Sequence, residues 1–198
     1  APSATTPRRL VEALYWDIAR AMTASELAYQ DATDCYLQTL GGRPASGALN
    51  YDLYGKTSSA STYNLRGQGE FCPHAVLATD VGQAVTSTLT YHSEVDIDLI
   101  AVGIYAYLDD EVVAVTAINT TTKSLTVNRG VLDTVPVAHA SGSRIWFADG
   151  FQGVDPTEYA AGETVNARLL TVTGKGTLAL ASAPTDSLAM NRRQNRPY

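Results

Sequence analysis

From Leu49 onward the apolar residues of this chain recur at every second position, in short runs separated by turn-forming clusters. A period of two puts alternate side chains on opposite faces of an extended strand, so a chain patterned this way must bury sheet faces. Leu49-Asn-Tyr51-Asp-Leu53-Tyr54 is the first such run. Gly55 to Gly69 is rich in Ser, Thr and Gly and reads as a loop with a short strand near Tyr63–Arg66. Thr86–Tyr91 and Asp98–Leu108 are β-rich, Asp109-Asp110 makes a tight turn, and Glu111–Ile118 returns as the partner strand. Asn119–Lys123 turns again into Ser124–Arg129, and Arg144–Phe147, Val165–Val172 and Thr177–Ala181 complete the series.

The first 45 residues read differently. Leu10, Val11, Leu14, Tyr15, Ile18 and Met22 share one face at helical spacing, with Thr6 as a cap and Pro7 at the first helical position. The spacing predicts an amphipathic helix over 7–22. Thr23-Ala-Ser-Glu26 is a capping-box pattern that predicts a second helix running to about Leu40, stopped by Gly41-Gly42 and followed by Pro44. The expected fold is therefore mainly β (α+β): an N-terminal helical pair over 1–45, an antiparallel β-sandwich or barrel-like domain over 46–190, and a linker over 191–198.

The 198 residues are 45% hydrophobic and 17% charged, enough apolar matter for a core. The net charge of −6 disfavours a nucleic-acid partner, which calls for a basic surplus. Arg192, Arg193 and Arg196 read as a solvated tail or linker. Cys35 and Cys72 are too few for a disulfide framework and too isolated for a zinc site, so they read as buried or free thiols. No run approaches the ~18 apolar residues of a membrane span, and Ala1–Arg9 holds no apolar stretch of the signal-peptide kind. The absence of a starting Met and the abrupt ending on Arg196-Pro-Tyr198 suggest a piece of a longer polypeptide.

Two groups of residues invite a chemical reading. Asp109-Asp110-Glu111 is an acidic triplet, but it lacks the alternate spacing and the glycine of a calcium loop, and neighbouring strand residues diverge. It reads as a solvated hairpin turn. Asp133, His139 and Ser141 are the residue types of a hydrolase triad. Ser141 lies two residues from His139, and Ala140-Ser141-Gly142 lacks the leading glycine of a nucleophile elbow. Here His139 is expected to pin a Thr134–Gly142 loop through hydrogen bonds to backbone groups, since imidazole can both donate and accept. No metal, cofactor or catalytic residue is assigned.

The spacing Asp110, Glu111, Thr126, Val127, Arg129, Gly130, Thr134, His139, Gly142 resembles a recurrent module of siphophage-like tail hub or tail-tip proteins, a family also found in prophages and gene transfer agents. Three further stretches agree in order: Arg9–Ile18, Arg43-Pro44 to Leu53, and Leu169–Gly176 with Arg192–Tyr198. Leu132-Asp133 departs from the Leu-Gly of many relatives, a change of turn residue. The resemblance implies a structural role at the distal end of a virion tail assembled in the bacterial cytoplasm. Its partners there would be the distal tail protein, the tube and the fibre or receptor-binding parts, with a homotrimer in the full assembly. It implies no catalytic residues; Asp110, Glu111, Arg129, Gly130, Thr134, His139 and Gly142 are its turn and loop residues.

Two other classes compete. A carbohydrate-binding module would use exposed aromatic faces, with Tyr51, Tyr54 and Tyr63 as the candidates in or near loops. A glycosidase or esterase would need a fixed pair of carboxylates, and no such pair is marked in the sequence.

Overall fold

The computed structural model of the chain describes residues 2–12, 34–45, 47–83, 88–132 and 134–191. They are mainly β and form two compact units. One comprises Ala1–Phe71 with Gln152–Pro197; the other is Cys72–Phe151, inserted into it.

The first unit is an eight-stranded antiparallel sheet. Its order is β1 (Arg8–Glu12), β2 (Asp34–Gly41), β11 (Gly153–Ala160), β4 (Asn64–Gly69), β3 (Ala48–Thr57), β12 (Thr164–Thr173) and β13 (Gly176–Thr177), with β14 (Asp186–Ala189) also on β12. The sheet curls into a half-barrel, so that β1 and β14 meet through side chains. Arg8 Nε donates to Asp186 Oδ2 at 2.6 Å, and the Asn191 N–H donates to Glu12 Oε1 at 2.9 Å. Its core holds Leu37, Tyr51, Leu53, Phe71, Tyr159, Val165, Leu169 and Met190.

Tyr51 is the largest side chain sealed inside this sheet. Its hydroxyl donates to Thr39 O at 2.9 Å and lies 3.0 Å from Thr39 Oγ1. Gly69 faces Tyr51 across β3–β4, and Gly153 faces Gly69 across β4–β11. A Cβ on Gly69 would overlap the Tyr51 ring, and one on Gly153 would lie 2.7 Å from Thr39 Oγ1. These two glycines are the slot in which the phenol lies. On β11, Pro156 falls where the register shifts between Asp155 and Tyr159, the irregular kind of position at which a strand tolerates proline. There the buried Asp155 carboxylate accepts from Tyr159 Oη at 2.6 Å and from Thr157 N at 2.9 Å. Burial, and then the Asp155 carboxylate, push the Tyr159 hydroxyl pKa well up, so the phenol remains a donor.

The second unit is, among the described residues, a closed six-stranded antiparallel barrel. Its strands run in the order β10 (Arg144–Trp146), β5 (His74–Leu77), β6 (Thr88–Val95), β9 (Ser124–Asn128), β8 (Glu111–Asn119) and β7 (Tyr105–Leu108), and β7 returns to β10. Every second residue points inward: Ala75, Leu77, Leu89, Tyr91, Ala106, Leu108, Val113, Val115, Leu125, Val127 and Ile145 form one core with Phe147. Among the described residues, closure gives every strand of the barrel a neighbour on both sides.

Several expectations need correction. Arg8–Glu12 and Asp34–Gly41 are strands, paired with each other from Arg8↔Gly41 to Glu12↔Leu37, and the described residues contain no α-helix. The rest of the expected helical pair, 13–33, lies outside the described residues, as do Asp133 and the 192–198 tail. β2 was open to a helical reading because it is buried on both faces: Leu37, Gln38, Thr39 and Leu40 are all sealed, which erases the alternation of a one-sided strand. The β-rich run Asp98–Leu108 is a strand only from Tyr105. Before it, Asp96 (φ 55) and Gly103 (φ 99) bend the chain around a short 3-10 turn at Ile97–Leu99.

Candidate functional site

Glu111, Arg129, Gly130, Thr134 and His139 converge at one end of the barrel, and the centre of the cluster is Glu111. On β8 it stands two residues before Val113 and four before Val115, in phase with the inward-facing core. Arg129 follows Leu125 and Val127 with the same phase just past β9. Two charged side chains thus occupy the next inward positions where apolar ones would stand. Both are sealed from solvent: side-chain exposure is 0% for each.

They meet in a fork. Arg129 Nε donates to Glu111 Oε1 and Nη2 to Oε2, each at 2.6 Å. The carboxylate accepts three more hydrogen bonds: from the Gly130 N–H at 2.9 Å, the Val137 N–H at 3.1 Å and His139 Nε2 at 2.9 Å. Five donors on two oxygens exhaust the lone pairs available to a carboxylate. Arg129 also donates to Val137 O at 2.7 Å.

This hub holds a strap, residues 129–132 and 134–143, against the barrel. Where β9 ends, Thr134 takes over its pairing with β8: its Oγ1 accepts from the Val112 N–H at 3.0 Å and donates to Val131 O at 2.8 Å. Gly130 sits at φ 60, and a Cβ there would lie 2.5 Å from Pro136 Cδ, so the turn into the strap has room for no side chain. His139 is bonded on all sides. Its backbone pairs both ways with Val81 at 2.8 Å, Nε2 meets Glu111, and Nδ1 meets Asp109 Oδ2 at 2.7 Å. Asp109 takes φ 51 in the two-residue turn between β7 and β8, which aims its carboxylate at the imidazole. Gly142, at φ 93, releases the strap into β10.

The acidic triplet therefore separates into three environments. Asp110 is exposed, Asp109 is half exposed and bonded to His139, and Glu111 is buried. The expectation of a solvated turn fails for Glu111. The expectation that the His139 ring binds backbone groups is likewise replaced, because its partners are carboxylates. Ser141 does not approach His139 as a nucleophile would: its Oγ donates to Ala78 O at 3.0 Å and its N–H to Asp80 Oδ1 at 2.7 Å. Among the described residues, no group of three or more His, Cys, Asp or Glu could hold a metal ion.

Alternation contained the signal for Glu111 and Arg129. A charge in phase with core residues at a strand end must find a partner, because an unpaired buried charge is prohibitive. Two turn residues of the same charge, Asp109 and Asp110, precede Glu111 and mask that phase.

Burial pushes the Glu111 carboxyl pKa up, but the bonds from Arg129, His139, Val137 and Gly130 outweigh it and hold the group below its ordinary value of 4.5. Folding thus favours the ionised form. The stabilisation is complete above the unfolded-state value and is lost as pH falls through the lower folded-state value. We expect the urea midpoint of the protein to drop as pH is lowered below 4.5, and Glu111→Gln to lack that part of the drop. Parallel acid profiles for the two proteins would contradict the assignment.

The aromatic candidates also separate. Tyr51 is sealed in the sheet core and offers no face to a sugar. Tyr54 and Tyr63 are half-buried, and the Tyr63 ring is covered by Arg168, whose guanidinium carbon lies 4.6 Å from the centroid. Both cysteines are buried, and burial raises the Cys72 thiol pKa well above its ordinary range. Comparison with models of known protein families finds none that matches the chain, and comparison with curated proteins likewise finds no match.

Proposed function

We propose that this chain is a structural assembly domain of a phage-like tail hub or tail tip, a scaffold without catalytic chemistry. What supports the reading most is the state of the Glu111 carboxylate: all of its acceptor capacity is spent on Arg129, His139 and the strap backbone. A catalytic carboxylate must present a lone pair or a proton to a substrate, and this one has none to spare. Five residues of the tail-hub resemblance, Glu111, Arg129, Gly130, Thr134 and His139, also lock the strap, so their spacing has a structural reason.

Cryo-electron microscopy of tail particles containing the full-length protein tests the proposal. Both units should be located at the distal end of the tail, in threefold arrangement around its axis. A full-length protein that stays monomeric and never enters particles would sink it.

A further inference from the structure

A second surface has no part in the strap network. On the outer face of the half-barrel sheet, β3 pairs with β12 so that Tyr54 faces Arg168 and Lys56 faces Asn166. Lys56 and Arg168 thus stand diagonally on one face. Tyr63, just before β4, lies between them in the chain's path. Lys56 Nζ is 5.3 Å from its ring centroid and the Arg168 guanidinium carbon 4.6 Å.

Neither cation has a carboxylate partner among the described residues. Lys56 Nζ donates to Ala60 O at 2.6 Å; Arg168 donates from Nε to Thr185 Oγ1 at 2.9 Å and from Nη1 to Leu180 O at 2.8 Å. Arg168 Nη2 has no hydrogen-bond partner among the described residues. By contrast, Arg8, Arg66, Lys123 and Arg129 each face an acid. Two cations without a carboxylate partner thus gather around one phenol on a chain of net charge −6; Asp52, on the same face of β3, is bonded to Gln68 instead, its Oδ1 accepting from Nε2 at 3.1 Å. The Arg168 side chain is anchored by its other nitrogens, so its remaining N–H groups are pre-aimed, which lowers the entropic cost of binding an anion.

We infer that Lys56, Tyr63 and Arg168 form a binding subsite for the acidic group of a polysaccharide. The neighbours suit a sugar better than other polyanions. The Thr185 and Tyr63 hydroxyls, 3.2 Å apart, offer hydrogen bonds to ring hydroxyls, and the exposed Leu65 beside Tyr54 offers apolar surface to sugar C–H groups. A nucleic acid would require an extended basic stripe, and two cations do not supply one. The inference does not depend on the assembly reading.

Affinity electrophoresis of the whole chain through gels containing alginate, dextran sulfate or neutral dextran tests it. Alginate should retard the protein and neutral dextran should not, with retardation falling as salt rises. Arg168→Gln and Lys56→Gln should each weaken alginate binding by about tenfold. Lys175→Gln, which removes the same charge from a distant exposed turn, should leave it unchanged. Circular dichroism of each variant establishes that the sheet is intact. Retardation by dextran sulfate and not alginate would reassign the site to sulfated chains. Absence of retardation by either polyanion, equal losses from Lys175→Gln, or tighter binding of a single-stranded oligonucleotide would overturn the inference.

Discussion

Arg129→Met lowers the stability of the Cys72–Phe151 barrel by about 3–5 kcal/mol, because it leaves the Glu111 carboxylate buried without its charge partner. For a unit of this size that is a fall in melting temperature of about 12 °C or more. The more informative protein is the double variant Glu111→Leu/Arg129→Met. A simple buried ion pair can often be exchanged for apolar residues at little or no cost. Glu111 is more than half of a pair, since the Gly130 and Val137 amides and His139 Nε2 also end on it. Removing the carboxylate strands these donors, so the double variant should remain clearly destabilised. Amide hydrogen exchange would locate the loss, with Gly130 and Val137 exchanging faster in either variant. A double variant as stable as the parent would reduce the hub to an ordinary ion pair.

Tyr51→Ala carries the other large effect, about 3–5 kcal/mol lost from the half-barrel sheet. The substitution empties the slot between β3, β4 and β11 and removes the hydroxyl bonds to Thr39. Its decisive companion is Gly69→Ala. In the parent, the new methyl group collides with the phenol and should cost about 1–3 kcal/mol. In the Tyr51→Ala background the same methyl enters vacated space, and its cost should vanish or reverse. Urea denaturation of the four proteins closes the cycle. If the two substitutions add, the glycine is there for some reason other than the ring.

Much of the fold could be read from alternation and turn chemistry. The β7–β8 hairpin, the β8–β9 turn and β12 all follow from short period-two runs broken by Asp, Asn, Thr and Gly. β1 and β2 did not follow, for two separate reasons. Leu10 and Val11 fit a helical stripe as well as a strand, and only pairing with β2 decides between them. β2 itself is covered on both faces, so its pattern is continuous. The short strand β5 carries no turn signal of its own; it is defined by the barrel neighbours β6 and β10. At the candidate site, the spacing from Arg129 to Gly142 marked a constrained loop, and φ values of 60 at Gly130 and 93 at Gly142 explain its glycines. What local sequence could not convey was that Asp109, Glu111 and Asp80, from other parts of the chain, supply the acceptors.

The insertion of the barrel also has a thermodynamic consequence. The chain leaves the sheet after β4 and re-enters at β11, and Gly69 and Gly153 are direct cross-strand partners. For the sheet, everything between is a hairpin loop. The folded barrel holds its own ends together, with the Phe147 N–H on Pro73 O at 3.0 Å. The loop the sheet must close is then a few residues long. With the barrel unfolded, the same closure spans roughly eighty residues and costs about 2 kcal/mol more, at about 0.6 kcal/mol per doubling. Barrel folding therefore lends stability to the sheet through chain entropy alone, a coupling that needs no side chain to pass between them.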